Sequence, residues 1–157
     1  MKLRPLFEMT VRYTESHWAE PLNGPDGHEG IAWALREGEL AGERIRGTYR
    51  ACNHPYRRAD DVNVPDVHGV ISTEDGALVY YEIHGYGLLD PGQTTRRVVG
   101  AVTFRTAADR YRWLNLLFGT VEGRYVRTTD GRLEGHFRAF ECVSDDETVI
   151  AGGMSPG

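Results

Sequence analysis

Two carboxylates and two imidazoles flank a turn sequence at alternate positions of the chain. Asp66 and His68 precede the Thr-Glu-Asp-Gly stretch at 73–76, and Glu82 and His84 follow it. A carboxylate beside an imidazole can orient the ring and tune its pKa near neutrality, so these groups suit general acid–base catalysis. Two histidines with carboxylates are also a recognised ligand set for a divalent metal.

The turn sequence predicts how the two segments pair. Asp-Gly between apolar runs favours a tight hairpin, because Asp tolerates the turn geometry and Gly supplies a positive φ. A three-residue loop, Glu74–Gly76, pairs Thr73 with Ala77. Counting outward, the opposed pairs are Ser72 with Leu78, Val70 with Tyr80, His68 with Glu82, and Asp66 with His84. A two-residue loop would disperse the group, since it places His68 opposite Ile83.

Alternate residues of a strand share a face, so this register predicts one polar and one apolar face. The polar face holds the four acid–base groups with Val70, Leu78 and Tyr80. The other face holds Val67, Gly69, Ile71, Val79, Tyr81 and Ile83. A polar strand face is often the solvated outside of a sheet. A mixed polar and apolar lining also suits a small-molecule pocket. The sequence leaves both interpretations open, and our working hypothesis places the four groups on an inner wall as catalytic residues.

Further side chains are candidates for contacts with a substrate. Tyr80 and an arginine such as Arg105 or Arg138 could polarise a substrate carbonyl. Trp113 could line a pocket mouth. Each has a plainer interpretation, because exposed arginines are common and aromatic residues at helical spacing are usually core residues.

The composition and the missing motifs argue against a nucleic-acid-binding protein and against a cofactor-dependent enzyme. The chain has 157 residues and a net charge of −5, and it contains no basic stripe, so we expect no nucleic-acid partner. It contains no GxGxxG, Walker lysine loop, HExxH or GxSxG motif. We therefore expect no cofactor. For the four acid–base groups we favour catalysis over metal binding, and so we also expect no metal.

The remaining bulk properties predict a cytoplasmic protein, and the mixed lining described above makes a small molecule its expected partner. No apolar run is long enough to cross a bilayer, and we expect no signal peptide and no membrane association. Cys52 and Cys142 are the only cysteines. Without a CxxC pair or a dense framework, we expect both to be reduced thiols.

Segments rich in Val, Ile, Tyr, Phe and Thr recur between Gly, Asp and Asn residues, which indicates an all-β protein. Eight such strands can close into a single antiparallel β-barrel without exposed edges. One short helix is predicted near residues 107–118, and residues 51–65 are predicted to be a long loop. We expect the barrel domain to cover residues 1–145 and a loose tail to cover 146–157. The predicted strands are Leu6–Tyr13, Gly30–Glu37, Glu39–Tyr49, Asp66–Thr73, Ala77–His84, Arg96–Arg105, Thr120–Thr128 and Leu133–Val143.

Three segments resemble a known family. These are Thr73-Glu-Asp-Gly-Ala-Leu-Val-Tyr-Tyr, Phe104-Arg-Thr and Arg110-Tyr-Arg-Trp-Leu-Asn, and the Tyr-x-Trp-Leu-Asn box is the most specific of them. In this order and spacing they resemble the bacterial family catalogued as domain of unknown function 3237. The resemblance implies a small barrel similar to allene oxide cyclase and calycin barrels, often a homo-oligomer, which here would be a dimer or trimer.

The chain also departs from that family. Where members usually carry a Gly-Gly-x-Asp-Trp-like segment, this chain reads Arg50-Ala-Cys-Asn-His-Pro-Tyr-Arg-Arg, and His68 stands where an arginine is common. The chemistry of this region is therefore expected to differ from that of relatives.

These observations support a cofactor-independent isomerase, cyclase or lyase that uses proton transfer inside the barrel. The alternative is a non-catalytic, lipocalin-like binder of an apolar or aromatic metabolite. A third possibility is a structural oligomer with a solid interior.

Overall fold

Eight long antiparallel strands close into a barrel in the computed structural model, which describes residues 1–19 and 30–144. The elements of this part are β1 (Lys2–Ala19), β2 (Gly30–Ala41), β3 (Arg46–Asn53), β4 (Tyr56–Arg57), β5 (Asn63–Val64), β6 (Asp66–Thr73), β7 (Leu78–Leu88), β8 (Arg97–Arg105), a 3₁₀ helix (Asp109–Leu116), β9 (Gly119–Arg127) and β10 (Leu133–Val143). The order around the barrel is β1-β2-β3-β6-β7-β8-β9-β10, and β10 pairs with β1 to close it. The predicted all-β barrel is confirmed.

Several strand boundaries differ from those predicted, and the ends of β2 and β1 differ for identifiable reasons. The expected break at Gly38 is absent, and β2 runs on to Ala41. A Cβ at Gly38 would lie 1.9 Å from the carbonyl oxygen of Thr10, so glycine lets β1 and β2 pass close together here. Similarly, β1 continues past Tyr13 to Ala19, because its second half pairs with the start of β2.

The predicted long loop at 51–65 is partly ordered into strands. Its first residues complete β3, and β4 and β5 follow as two-residue strands. β4 pairs with β2 and with β5, and β5 pairs with β7. The segment therefore bridges β2 and β7 beyond the ends of the shorter strands β3 and β6, which extends the barrel wall at that end.

The core fills the barrel interior with alternate residues of each strand. The most completely buried of these are Val11, Tyr49, Val67, Ile71, Val79 and Val102. Because successive side chains of a strand point to opposite faces, the residues between them face outward.

The helix packs over one end of the barrel. Its Tyr111 and Leu114 belong to the buried core, and the Tyr111 hydroxyl donates to Asp75 Oδ1 at 2.9 Å in the β6–β7 turn. A helix was predicted here, although it is a 3₁₀ helix that begins at Asp109 and ends at Leu116. Within the described ranges, no helix has the length and apolarity of a membrane span. The tail predicted at 146–157 lies outside the described residues.

Candidate functional site

The β6–β7 hairpin has the register that the sequence predicts. Gly76 has a φ of +84°, and the Thr73 amide donates to the Ala77 carbonyl at 3.0 Å. The opposed pairs include Asp66 with His84, His68 with Glu82, and Val70 with Tyr80. The turn chemistry was sufficient to determine this register, because loop length fixes which residues face each other.

The four acid–base side chains do lie together. Asp66 Oδ1 is 3.0 Å from His68 Nε2 and 3.3 Å from His84 Nδ1. Glu82 Oε1 is 3.9 Å from His68 Nδ1. The juxtaposition predicted from the turn is therefore present in the structure.

Their expected place on an inner wall is wrong, because this cluster covers the outside of the barrel. The side chains of His68 and His84 are 53% and 57% exposed. The opposite, apolar face of the hairpin supplies Val67, Ile71 and Ile83 to the core. A closed barrel buries its apolar face, and this leaves the polar face in solvent. A catalytic role for the four residues stays a prediction.

Two of the predicted substrate-binding residues join the outer cluster. Arg105 Nη1 donates to Glu82 Oε1 at 3.2 Å, and Arg105 pairs across the strands with Tyr80. Tyr80 is 61% exposed. Both residues line an open groove of about 500 Å³ on the outer face, together with His68 and Glu82.

The other two predicted substrate-binding residues, Trp113 and Arg138, lie away from the outer cluster. Trp113 belongs to the 3₁₀ helix at the far end, where the Arg44 guanidinium carbon lies 3.5 Å from the ring centroid. Arg138 lies on the outside of β10 and donates to Glu122 Oε1 at 2.7 Å. Trp113 packs against the edge of the core, and the structure brings neither residue to the outer cluster.

A separate cavity of about 260 Å³ lies inside the barrel, toward the end formed by β4, β5 and the segment before β8. Its wall is mainly apolar, with polar groups from Tyr13, Arg36, Asn53 and Tyr125. Arg96 and Arg127 also contribute to the lining. Among the described residues that line it, none is acidic and none is a histidine.

Arg36 is the central charged group of this cavity. It is 6% exposed, and its Nε atom is buried without a hydrogen-bond partner in the described part of the chain. No described carboxylate forms an ion pair with it. Burial by itself lowers the pKa of Arg36, but the negative charges that Tyr125, Tyr81, Tyr13 and Tyr49 acquire when they ionise at high pH outweigh that effect and raise it above its ordinary value. The guanidinium therefore stays charged.

Burial keeps the hydroxyls of two tyrosines near Arg36 neutral. Burial raises the pKa of Tyr81 to about 12, and burial also raises the pKa of Tyr125 well above its usual range. The hydroxyls of Tyr13 and Tyr125 lie 2.8 Å apart. The Tyr81 hydroxyl is buried near the Arg36 guanidinium, and this proximity lowers its pKa against the larger effect of burial. A cationic guanidinium and nearby O–H donors are arranged to accept an anion.

The sequence analysis missed Arg36, although the chain carried a signal for it. The buried positions of β2 alternate, and Arg36 occupies one of them among small and apolar residues: Ala32, Ala34, Gly38 and Leu40. An arginine in the inward register of a strand is rare without a partner. Placing the strand break at Gly38 concealed that alternation.

The fold and the cavity define the class of this protein as a small closed antiparallel barrel with an internal pocket that is mainly apolar and carries a few polar groups. The chain belongs to the family described as "Protein of unknown function (DUF3237)", whose sequence profile matches residues 1–134. No curated protein matches the chain.

Several solved structures share the fold. A β-barrel-like protein from Acinetobacter baumannii is 19% identical, with a TM-score of 0.70 over 89% of this chain and 94% of that one. A protein of unknown function from Rhodopseudomonas palustris is 18% identical, with a TM-score of 0.71 over 90% and 97%. An enzyme from Penicillium herquei is 23% identical, with a TM-score of 0.59 over 88% and 93%. At these identities the likeness shows the fold alone.

Proposed function

We propose that the barrel cavity binds a small organic anion with an apolar or aromatic body. We further propose that the protein acts on it as a cofactor-independent isomerase, cyclase or lyase. The observation that carries the proposal is Arg36, a buried and charged guanidinium with no acidic partner in the described chain. Leaving a charge buried and unpaired costs several kcal/mol, and a bound anion would offset this.

The charge of the cavity contrasts with that of the chain. The protein carries a net charge of −5, yet its cavity is lined by Arg36, Arg96 and Arg127 and by no described acidic residue. Arg96 forms an ion pair with Asp61, whose Oδ1 lies 2.8 Å from Nη2 and which is not among the residues that line the cavity. The local positive potential therefore favours an anion over a neutral or cationic ligand.

The cavity volume limits the ligand to a small molecule. At about 260 Å³, the cavity falls just below the range of about 300–1,000 Å³ that is typical of ligand pockets. Val11, Val67, Ile83 and Phe137 supply apolar contacts. A compact ring that carries a carboxylate, a phenol or an enolisable carbonyl matches this combination of walls and charge.

The chemistry that these residues support is stabilisation of an oxyanion. Arg36 would lower the pKa of an enol, a phenol or a C–H group next to a carbonyl, because it favours the charged product of proton loss. The proton would pass to a solvent water, because the described lining offers no carboxylate or imidazole, and the Tyr125 hydroxyl, whose pKa burial raises, could return one. Proton-transfer isomerisation, cyclisation and elimination all proceed through such anions. The description of the Penicillium herquei relative as an enzyme supports a catalytic role.

The test is a binding and exchange experiment on small carboxylates, phenols and enolisable ketones. Binding is measured by calorimetry, and exchange of substrate C–H protons in D₂O is followed by NMR. The wild-type chain is expected to bind and exchange at least one of these compounds. Arg36→Met should weaken binding at least about 100-fold, since a charged hydrogen-bonded pair is lost. Arg36→Lys should restore part of it.

The matched control is Arg138→Met, which removes an exposed arginine from the outer wall. Its affinity and exchange rate should equal those of the wild type. Full binding in Arg36→Met, or an equal loss in both variants, would refute the role of the cavity.

A non-catalytic binder is the second candidate. It is favoured by the absence of any carboxylate or imidazole among the described residues that line the cavity, because such groups are the usual general bases. Arg36-dependent binding without C–H exchange or conversion of any bound compound would establish this alternative.

A further inference from the structure

Six side chains with metal-binding chemistry form two rows on the outer face of β3, β6 and β7. The residues of the first row pair directly across the three strands. In the second row, the backbone amide of His54 donates to the carbonyl of Asp66 at 2.9 Å, and Asp66 pairs with His84. Alternate strand positions thus concentrate nitrogen, oxygen and sulfur ligands on one surface. The first row is Cys52, His68 and Glu82, and the second is His54, Asp66 and His84.

Three atoms of this surface have the spacing of metal ligands. Asp66 Oδ1 lies 3.0 Å from His68 Nε2 and 3.3 Å from His84 Nδ1. Ligand atoms of the three residues all lie within 4.8 Å of one another. With zinc–ligand bonds of about 2.0–2.1 Å and tetrahedral angles, neighbouring ligand atoms stand about 3.3 Å apart. Only small adjustments of exposed side chains are therefore needed.

A second observation supports the same assignment. Histidine ligands of metals usually donate their other ring nitrogen to a carboxylate, which sets the tautomer and orientation of the ring. Here the far nitrogen of His68, Nδ1, faces Glu82 Oε1 at 3.9 Å. Glu82 Oε1 in turn accepts from Arg105 Nη1 at 3.2 Å. The 3.9 Å separation is longer than a hydrogen bond, and a small rotation of the Glu82 side chain would complete the pairing with Nδ1 while Nε2 stays beside Asp66.

We propose that Asp66, His68 and His84 form a binding site for a divalent transition metal of the zinc type, with Glu82 as the positioning residue behind His68. Two imidazoles and a carboxylate select Zn²⁺ over Mg²⁺ and Ca²⁺, which prefer all-oxygen ligands. Three protein ligands leave a fourth position for water or a small anion. This inference departs from the sequence-based expectation of no metal.

The metal site and the function proposed for the cavity depend on different residues. The metal ligands lie on the outer faces of β6 and β7, whereas Arg36 is a buried residue of β2 that borders both the inner cavity and the outer groove. His68 also lines the open outer groove with Tyr80 and Arg105, so an exogenous ligand of the metal would have space beside it.

Equilibrium dialysis of the untagged full chain against Zn²⁺ alone tests the site. We expect one Zn²⁺ per chain, and His68→Ala and His84→Ala should each weaken binding at least about 100-fold. Glu82→Gln should weaken it about tenfold, as loss of a carboxylate behind a histidine ligand generally does. Circular dichroism and thermal melts of each variant check that the barrel is intact.

His136→Ala is the matched control. His136 is also an exposed barrel histidine beside a carboxylate, with Nε2 at 3.0 Å from Glu134 Oε1, but it belongs to no three-ligand cluster in the described chain. Its Zn²⁺ affinity should equal that of the wild type. Unchanged affinity in the His68 and His84 variants would overturn the proposal. A near-ultraviolet charge-transfer band of the Co²⁺ complex that vanishes in Cys52→Ser would overturn this ligand set.

Discussion

The inner cavity and the outer face of the β6–β7 hairpin both gather polar groups, but they satisfy them differently. On the outside, Asp66 pairs with two histidines and Glu82 pairs with Arg105, all in contact with water. Inside, Arg36 is charged and buried, and no described acid pairs with it. Solvent screens the outer charges, so their arrangement adds little to folding. The inner charge opposes folding unless a ligand is present, and it is therefore the stronger indication of function.

The largest effect that separates the two regions is expected at Arg36. Arg36→Met should stabilise the ligand-free protein by about 1–4 kcal/mol, because an apolar side chain of similar length replaces an uncompensated buried charge. Urea unfolding of both proteins measures the difference. A destabilisation of similar size would show that Arg36 supports the fold. In that case the buried charge would not oppose folding, and the proposed difference between the inner cavity and the outer cluster would be wrong.

An intermediate effect is expected at Gly69, which gives Tyr81 the space to lie beside Arg36. A Cβ at this position would stand 2.5 Å from Cε1 of Tyr81 and 2.8 Å from the Cβ of Ala51. Gly69→Ala should therefore destabilise the protein by about 1–3 kcal/mol through overpacking. It should also weaken binding of any cavity ligand, which calorimetry would detect.

Ser72→Ala is the control for that substitution, since Ser72 is an exposed residue of the same strand. Its unfolding free energy should match that of the wild type. If Gly69→Ala also left stability and ligand affinity unchanged, the close packing of Tyr81 would have no part in the cavity.

The smallest effect is expected on the outer face. In the presence of a chelator, His68→Ala and His84→Ala should each change the unfolding free energy by less than about 0.5 kcal/mol, as exposed substitutions usually do. Urea titrations measure this. If either variant lost more than about 2 kcal/mol of unfolding free energy, the outer cluster would have a structural role. Its contribution to stability would then no longer be the smaller of the two regions.

Local signals predicted a large part of the fold. The register of β6 and β7 followed from Asp75-Gly76, because a tight turn fixes pairing over the adjoining residues. The helix near Tyr111 was also predictable, although its exact bounds were not. Gly38 misled the prediction, because the close approach of Thr10 that requires glycine there involves a strand 28 residues earlier in the chain. Such long-range contacts leave no local pattern.

The sequence by itself determined the all-β class, the hairpin register and the grouping of Asp66, His68, Glu82 and His84, since each depends on neighbours along the chain. Only the tertiary structure decided which face of each strand lies inside. Closure of the barrel buries the apolar face of the hairpin and, with it, the inward side of β2 that carries Arg36. The sign of the cavity charge depends on side chains from distant strands meeting in one space, and alternation along a single strand does not reveal it.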